Sequence, residues 1–257
     1  MHGATVLRGL RLKGDDMAND RSNGRAPARN LNIALLIDAD NASPASLDIV
    51  LTVLAELGAV NIRRIYGNWS KAALKGWSDL VHRYAIEPHQ QFDVTKGKNA
   101  TDMKMTIDAM DLLFGGLVEG FGIMSSDSDF APLVMRLKQN GLPVYGFGRG
   151  LTPQSFQQAC TRFIDVDKLM AAKSSDGDAK PKVDKDVTDL LIAALQDARR
   201  DERGFASLSE VGQRAGNRSS FDARNYGYSR LSDLVAAIPI FQTEAREGGS
   251  IYVKRTR

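Results

Sequence analysis

Three short strings bring carboxylates to places where an α/β protein usually does chemistry. An apolar run, Ile33-Ala-Leu-Leu-Ile37, ends in Asp38-Ala-Asp40-Asn41; a polar loop, Lys98-Asn-Ala-Thr-Asp102, opens a helical pattern; and a second apolar run ends in Ser125-Ser126-Asp127-Ser-Asp129-Phe130. Carboxylates that converge repel one another and hold on to protons unless a cation neutralises them. Hard oxygen donors of this kind suit Mg²⁺ or Mn²⁺ rather than zinc. In hydrolysis of a phosphodiester one such ion can activate water, and a second about 4 Å away can stabilise the leaving oxygen. Asn41 is placed to hold an ion or a phosphate, and the Ser125 and Ser126 hydroxyls to position water or backbone. Each acid also has a structural reading: Asp38 caps the next helix, and Asp127 or Asp129 caps the helix near Phe130. For any one residue the two readings stay open. The recurrence of acidic ends at three places is what favours a site.

The elements that must position these groups follow from periodicity. Ile33 to Ile37 reads as a fully buried parallel strand, and groups just past the carboxyl end of such a strand line the ligand crevice. Ser43-Pro44 opens a helix through Leu47, Val50, Leu51, Leu54 and Leu57 that stops at Gly58. Val60 to Tyr66 is a second strand, about 71 to 84 a helix, and Ala85 to Phe92 a short third strand in which Pro88 marks an edge or a bend. A helix over about 100 to 114 carries Asp102 in its first turn and Met103, Ile107, Met110 and Leu113 as the apolar stripe; Asp108 lies on a rather different face. Gly120 to Ser126, Leu142 to Phe147 and Arg162 to Val166 complete the strands, with helices after Phe130 and over Pro153 to Cys160. This rhythm predicts a parallel sheet covered by helices on both faces.

Composition bounds the rest. The 257 residues are 43% apolar and 25% charged, enough for one sizeable core and a smaller module. A net charge of +3 is too small to name nucleic acid as a partner by itself. The single cysteine, Cys160, excludes a disulfide framework and a cysteine-based zinc site. No apolar run has the length to cross a bilayer, so the expectation is a soluble, cytoplasmic protein without a membrane partner. Residues 1–30 read as a disordered basic arm, with Met17 opening a shorter product. His89, near the end of the third strand, is placed to approach substrate or to be a hydrogen-bonded surface residue.

On these residues the stretch 31–170 resembles an NYN domain of the PIN-like nuclease superfamily, in its LabA-like group. The I-D-x-x-N signature stands as Ile37-Asp38-Ala-Asp-Asn41, K-x-x-D as Lys98-Asn-Ala-Thr-Asp102 with a later Asp108, and S/G-D-x-D-F as Ser126-Asp127-Ser-Asp129-Phe130. Ser126 stands where many relatives have glycine. The resemblance implies a Rossmann-like parallel sheet and metal-dependent endonucleolytic cleavage of RNA. It makes Asp38, Asp102, Asp127 and Asp129 the catalytic and metal-binding residues for Mg²⁺ or Mn²⁺, with Asn41 and Ser126 as substrate contacts.

Residues 171–184 form a polar stretch that reads as a flexible linker, and 185–257 make a second unit. Val187, Leu190, Leu191, Ala194 and Leu195 give one helical stripe; Ser207 caps a second helix ended by Gly216; Tyr228 to Ile238 gives a third; and Phe241 to Lys254 alternates as a hairpin. Three helices plus a hairpin is a winged-helix plan. With Tyr226-Gly-Tyr-Ser-Arg-Leu-Ser-Asp-Leu234 it resembles the OST-HTH, or LOTUS, domain, which implies binding of RNA or of a protein partner. Arg218, Arg224 and Arg230 are the candidate RNA contacts here, among a wider set that includes Arg214, Lys254 and Arg255.

The expected function is a metal-dependent ribonuclease with a C-terminal RNA- or partner-binding domain. Two alternatives stand: a non-catalytic RNA-binding or regulatory protein, and a haloacid-dehalogenase-like phosphatase with Asp38 as nucleophile in Asp38-Ala-Asp40. Sequence does not set the oligomeric state.

Overall fold

A computed structural model describes residues 31–92, 100–174 and 183–256. The expected basic arm, Lys98 and most of the expected linker lie outside the described residues.

The apolar run forms β1 (Leu31–Asp38), whose last six residues are buried. Such a strand is stable only with a neighbour on each side and a helical layer on each face. It has both. β2 (Gly58–Gly67) and β4 (Gly120–Met124) flank it in parallel, and the six-stranded order is β3-β2-β1-β4-β5-β6, with β3 (Glu87–Gln90), β5 (Val144–Gly148) and β6 (Arg162–Asp165). Pro88 lies in β3, an edge strand, where a missing N–H costs no ladder bond. Strand order reverses between β1 and β4, so the crevice expected of an open α/β sheet lies at the carboxyl ends of those two strands.

Alternation along β1 divides the core. Ile33, Leu35 and Ile37 pack with α1 (Leu47–Ala55) and α2 (Ser78–Arg83); Leu169 of α6 (Val166–Ser174) joins that layer. Ala34 and Leu36 pack with α3 (Ala100–Phe114), α4 (Ala131–Gln139) and α5 (Gln154–Ala159). Asp38 shares the parity of Ala34 and Leu36, which turns its side chain toward the face where α3 begins.

Two expectations are corrected here. The helix over 71 to 84 is a 3-10 segment, Ala72–Trp77, followed by α2. Leu74 and Trp77, three apart, are both buried, as three residues per turn requires. On α3 the expected apolar stripe is only half buried: Met103 is 67% and Ile107 51% exposed, Met110 and Leu113 are partly buried against the core, and Met105, Ala109 and Leu112 are the fully packed residues. This helix carries apolar residues on two faces, and contact with the sheet turns the Met105, Ala109 and Leu112 side inward while leaving Met103 and Ile107 outside.

The C-terminal unit consists of α7 (Lys185–Asp197), α8 (Leu208–Arg218) and α9 (Leu231–Ala236) with a small sheet in the order β7-β9-β8. Its strands are β7 (Ala206–Ser207), β8 (Phe241–Ala245) and β9 (Ile251–Arg255). The helix expected to end at Gly216 continues to Arg218, because Gly216 keeps helical backbone and Ala215 beside it is buried. Tyr226-Gly227-Tyr228 is a turn with Gly227 at φ +75°, a conformation that a side chain would strain. Tyr228 goes into the core.

This unit docks on the large sheet at its edge strand β6. The Phe163 N–H donates to Ser220 O (2.9 Å) and the Asp165 N–H to Asn225 Oδ1 (2.9 Å), while Asn225 Nδ2 donates to Phe163 O (2.6 Å). Backbone groups that an edge strand leaves open are thereby satisfied. Arg224 completes the contact, buried between Asp222 and Glu56.

Candidate active site

Asp38 is fully buried at the end of β1 and hydrogen-bonded at both oxygens. Oδ1 accepts from the N–H groups of Asp40 (3.1 Å) and Asn41 (3.3 Å), which fastens the turn that leaves the strand. Oδ2 accepts from the Ser125 hydroxyl (2.7 Å), and Ser125 Oγ accepts from the Asp127 N–H (3.0 Å). Ser125, buried itself, is thus a bridge between the carboxyl ends of β1 and β4. Asp127 in turn caps the 3-10 turn Ser128–Phe130 by accepting from the Asp129 N–H (2.9 Å). The capping and site readings coexist at Asp127, where the hydrogen bond to Oδ1 fixes the orientation of the other oxygen.

Asp102 enters from the first turn of α3. Its pKa is pushed up to about 6, first by burial and then by the charges of Asp38, Asp127, Asp129 and Asp40. Four other carboxylates are therefore near enough to be felt. Burial also raises the pKa of Asp38, against the hydrogen bonds from Ser125 and Asn41. The position of α3 is held by Asp108, which is buried and accepts from Lys104 Nζ (2.5 Å) and the Tyr66 hydroxyl (3.1 Å). Arg64 and His89 each stand 3.7 Å from it, and the His89 ring stacks on Tyr66 at 4.9 Å. Asp108 thus ties the helix that carries Asp102 to β2 and β3.

The donor set suits a hard divalent cation in kind: all oxygen and acidic. Among the described residues, no three His, Cys, Asp or Glu side chains already stand as a group that could hold an ion. Asp102 and Asp127 are partly exposed and Asp129 is exposed, whereas Asp38 is fully buried.

The other expected site residues fall in different places. Asn41 is exposed beside Asp38, and Asp40 pairs with Lys71 (3.2 Å). Ser126 Oγ accepts from the Arg149 N–H (3.1 Å), so Ser125 is the serine that organises the acids. The string Met124-Ser125-Ser126-Asp127 offers both serines, and only the end of β4, at Met124, decides which one turns inward. Arg218 pairs with Asp197, Arg224 is buried in the domain contact, and Arg230 is exposed beside α9. His89 serves the Asp108 cluster rather than standing alone.

Comparison with known families now decides the class, because the NYN domain model matches residues 32–168. The chain belongs to the NYN family. The OST-HTH/LOTUS domain model matches residues 179–253, which gives an NYN domain followed by a LOTUS domain. The NYN fold is PIN-like, as is the parallel sheet seen here. An uncharacterised protein of Methanocaldococcus jannaschii, MJ0482, is 30% identical over 120 residues, which are 45% of this chain and 47% of that protein. The chain spans about half the length of that curated relative. Among solved structures, a protein of unknown function from Vibrio parahaemolyticus, VPA0982, is 18% identical with a TM-score of 0.44, covering 58% of this chain and 96% of that one. A carbohydrate transporter of Acidothermus cellulolyticus in complex with myo-inositol is 11% identical with a TM-score of 0.29, over 74% of this chain and 52% of that one. Likeness this slight carries no argument. No helix among the described residues is long and apolar enough to cross a membrane.

Proposed function

We propose that the protein is a metal-dependent ribonuclease whose NYN domain hydrolyses RNA phosphodiester bonds and whose LOTUS domain supplies affinity for RNA. The observation that carries this is the electrostatic crowding at the switch point of the sheet: Asp102 feels Asp38, Asp127, Asp129 and Asp40 together. Such crowding is costly unless a cation is the intended occupant. Asp38, Asp102, Asp127 and Asp129 would hold Mg²⁺ or Mn²⁺, and the ion when bound neutralises the scissile phosphate and acidifies a water. Asp38 is the fixed member, locked by Ser125 and the turn at Asp40-Asn41. Asp102, Asp127 and Asp129 are the adjustable ones. Asn41, exposed at the rim, orients a phosphate. Membership of the NYN family favours this over the phosphatase reading.

The test is cleavage of labelled single-stranded, structured and duplex RNAs with Mn²⁺, Mg²⁺ or chelator, beside Asp38→Asn and Asp127→Asn. Products that need the ion and vanish in both variants support the reading. RNA retained without products under every ion makes the protein a binding module.

A further inference from the structure

The two arginines of α8 itself, Arg214 and Arg218, are already matched. Arg214 donates to Glu210 from Nε (3.0 Å) and Nη2 (2.7 Å), and Arg218 pairs with Asp197. Unmatched positive charge lies elsewhere. A cavity of about 520 Å³ between the end of α7 and the end of β9 is lined by Arg200, Arg203, Lys254 and Arg255, and no carboxylate lines it among the described residues. Of these cations only Arg203 has an acidic partner among the described residues, Glu244, gripped through both Nη1 (3.1 Å) and Nη2 (2.6 Å). Arg200 donates to the carbonyls of Leu195 and Gln196, which satisfies hydrogen bonds without cancelling its charge. Lys254 Nζ lies 4.5 Å from the centre of the Phe205 ring, an attraction that likewise leaves the charge in place. Arg255 is exposed at the strand end. Gly204, at φ +81° with nothing within 4 Å of where a Cβ would stand, leaves the wall open to close approach. Ile192 and Leu195 add an apolar side against which a sugar can rest.

We propose that this cavity binds the phosphodiester backbone of single-stranded RNA, so that the LOTUS domain grips RNA at the end of its wing strand and not along α8. Each cation that meets a phosphate releases counter-ions, which gives affinity without sequence preference. The proposal rests on the reading of the chain as an RNA-binding protein.

The test uses the full chain, in chelator so that no RNA is cut, and follows binding of a short labelled oligouridine by fluorescence anisotropy at several salt concentrations. Lys254→Gln with Arg255→Gln keeps the Lys254 stem over Phe205 and removes both charges. This pair is expected to weaken binding by about tenfold or more and to flatten the slope of log K against log salt by about 1.4, at about 0.7 per phosphate on a single strand. Lys254→Arg should retain affinity, and Arg214→Gln with Arg218→Gln should change it by less than about twofold. The proposal is overturned if the wing pair binds like wild type, if the α8 pair loses as much, or if wild type retains no RNA. Cleavage with Mn²⁺ by wild type and Asp38→Asn is scored separately, so failure of the nuclease reading leaves a different signature from failure of the wing site.

Discussion

The crest of the large sheet and the α8 face of the LOTUS domain are both dense in charge, and they treat it in opposite ways. At the crest, burial together with the like charges of Asp38, Asp127, Asp129 and Asp40 pushes Asp102 up to about 6. On α8, Arg214 and Arg218 each sit against an acid of their own unit. A charge with its counter-ion in place helps hold the fold; a charge held among its like, or left over as at Lys254 and Arg255, is kept for something outside the chain. Removing single members of each group tests that distinction.

The largest effect is expected at Asp38. Asp38→Asn keeps the shape and most hydrogen bonds of the turn but removes the one carboxylate already locked in place. Turnover should fall by about a thousandfold, the scale of several kcal/mol of transition-state stabilisation. RNA affinity in chelator should hold or rise, since one repulsive charge near the backbone is gone. Parallel loss of cleavage and affinity would mean that Asp38 serves the fold and not the chemistry.

Next is a contrast within α3. Met105→Ala should cost about 2–5 kcal/mol of stability, because the side chain is fully buried against the sheet. Ile107→Gln should stay within about 0.5 kcal/mol, since Ile107 is 51% exposed. Denaturant melts of the two variants decide it. The contrast also marks where sequence stops being legible. β1 and β4 are unbroken apolar runs, so their burial and the acids at their ends can be read directly. On α3 periodicity finds two apolar faces and has no means of ranking them. The domain contact was equally out of reach: Asn225 completes the edge of β6 from 60 residues away in sequence, and Arg224 meets Glu56 from 168. Local pattern carries no information about such partners, which is why Arg224 read as an RNA contact.

Ser125 ranks third. Ser125→Ala leaves four acids but frees Asp38 Oδ2 and the Asp127 N–H together. Loss of a partner that orients a ligand typically costs about 10- to 100-fold in metal affinity or activity. Calorimetric Mn²⁺ binding alongside cleavage would show both falling together; unchanged values would make the bridge ornamental and the crest self-supporting.

The pH response is smaller and has a definite sign. Asp102 is pushed up from its ordinary 3.8 to about 6 by burial and by the neighbouring carboxylates. Between those values the folded protein keeps a proton that the unfolded chain has released, so metal-free stability falls as pH rises through that window. Mn²⁺ competes with that proton, so its protection should grow over the same range. The rise in Tm on adding Mn²⁺ is expected to be greater at about pH 7 than at about pH 5, and an equal rise at both would detach Asp102 from the ion.

The smallest effect, and the sharpest test of the comparison, is at the Arg218–Asp197 pair. Both side chains are about half exposed, so Arg218→Ala should cost less than about 1 kcal/mol of stability and leave RNA affinity nearly unchanged. Asp197→Asn goes further, because it removes the counter-ion and leaves the guanidinium where it was. If pairing is what keeps Arg218 out of RNA binding, that change should tighten binding modestly and steepen the salt slope by up to about 0.7. If Arg218→Ala alone weakens binding as much as loss of Lys254 and Arg255, a paired arginine is still in use, and the division between charge for the fold and charge for a ligand fails on this domain.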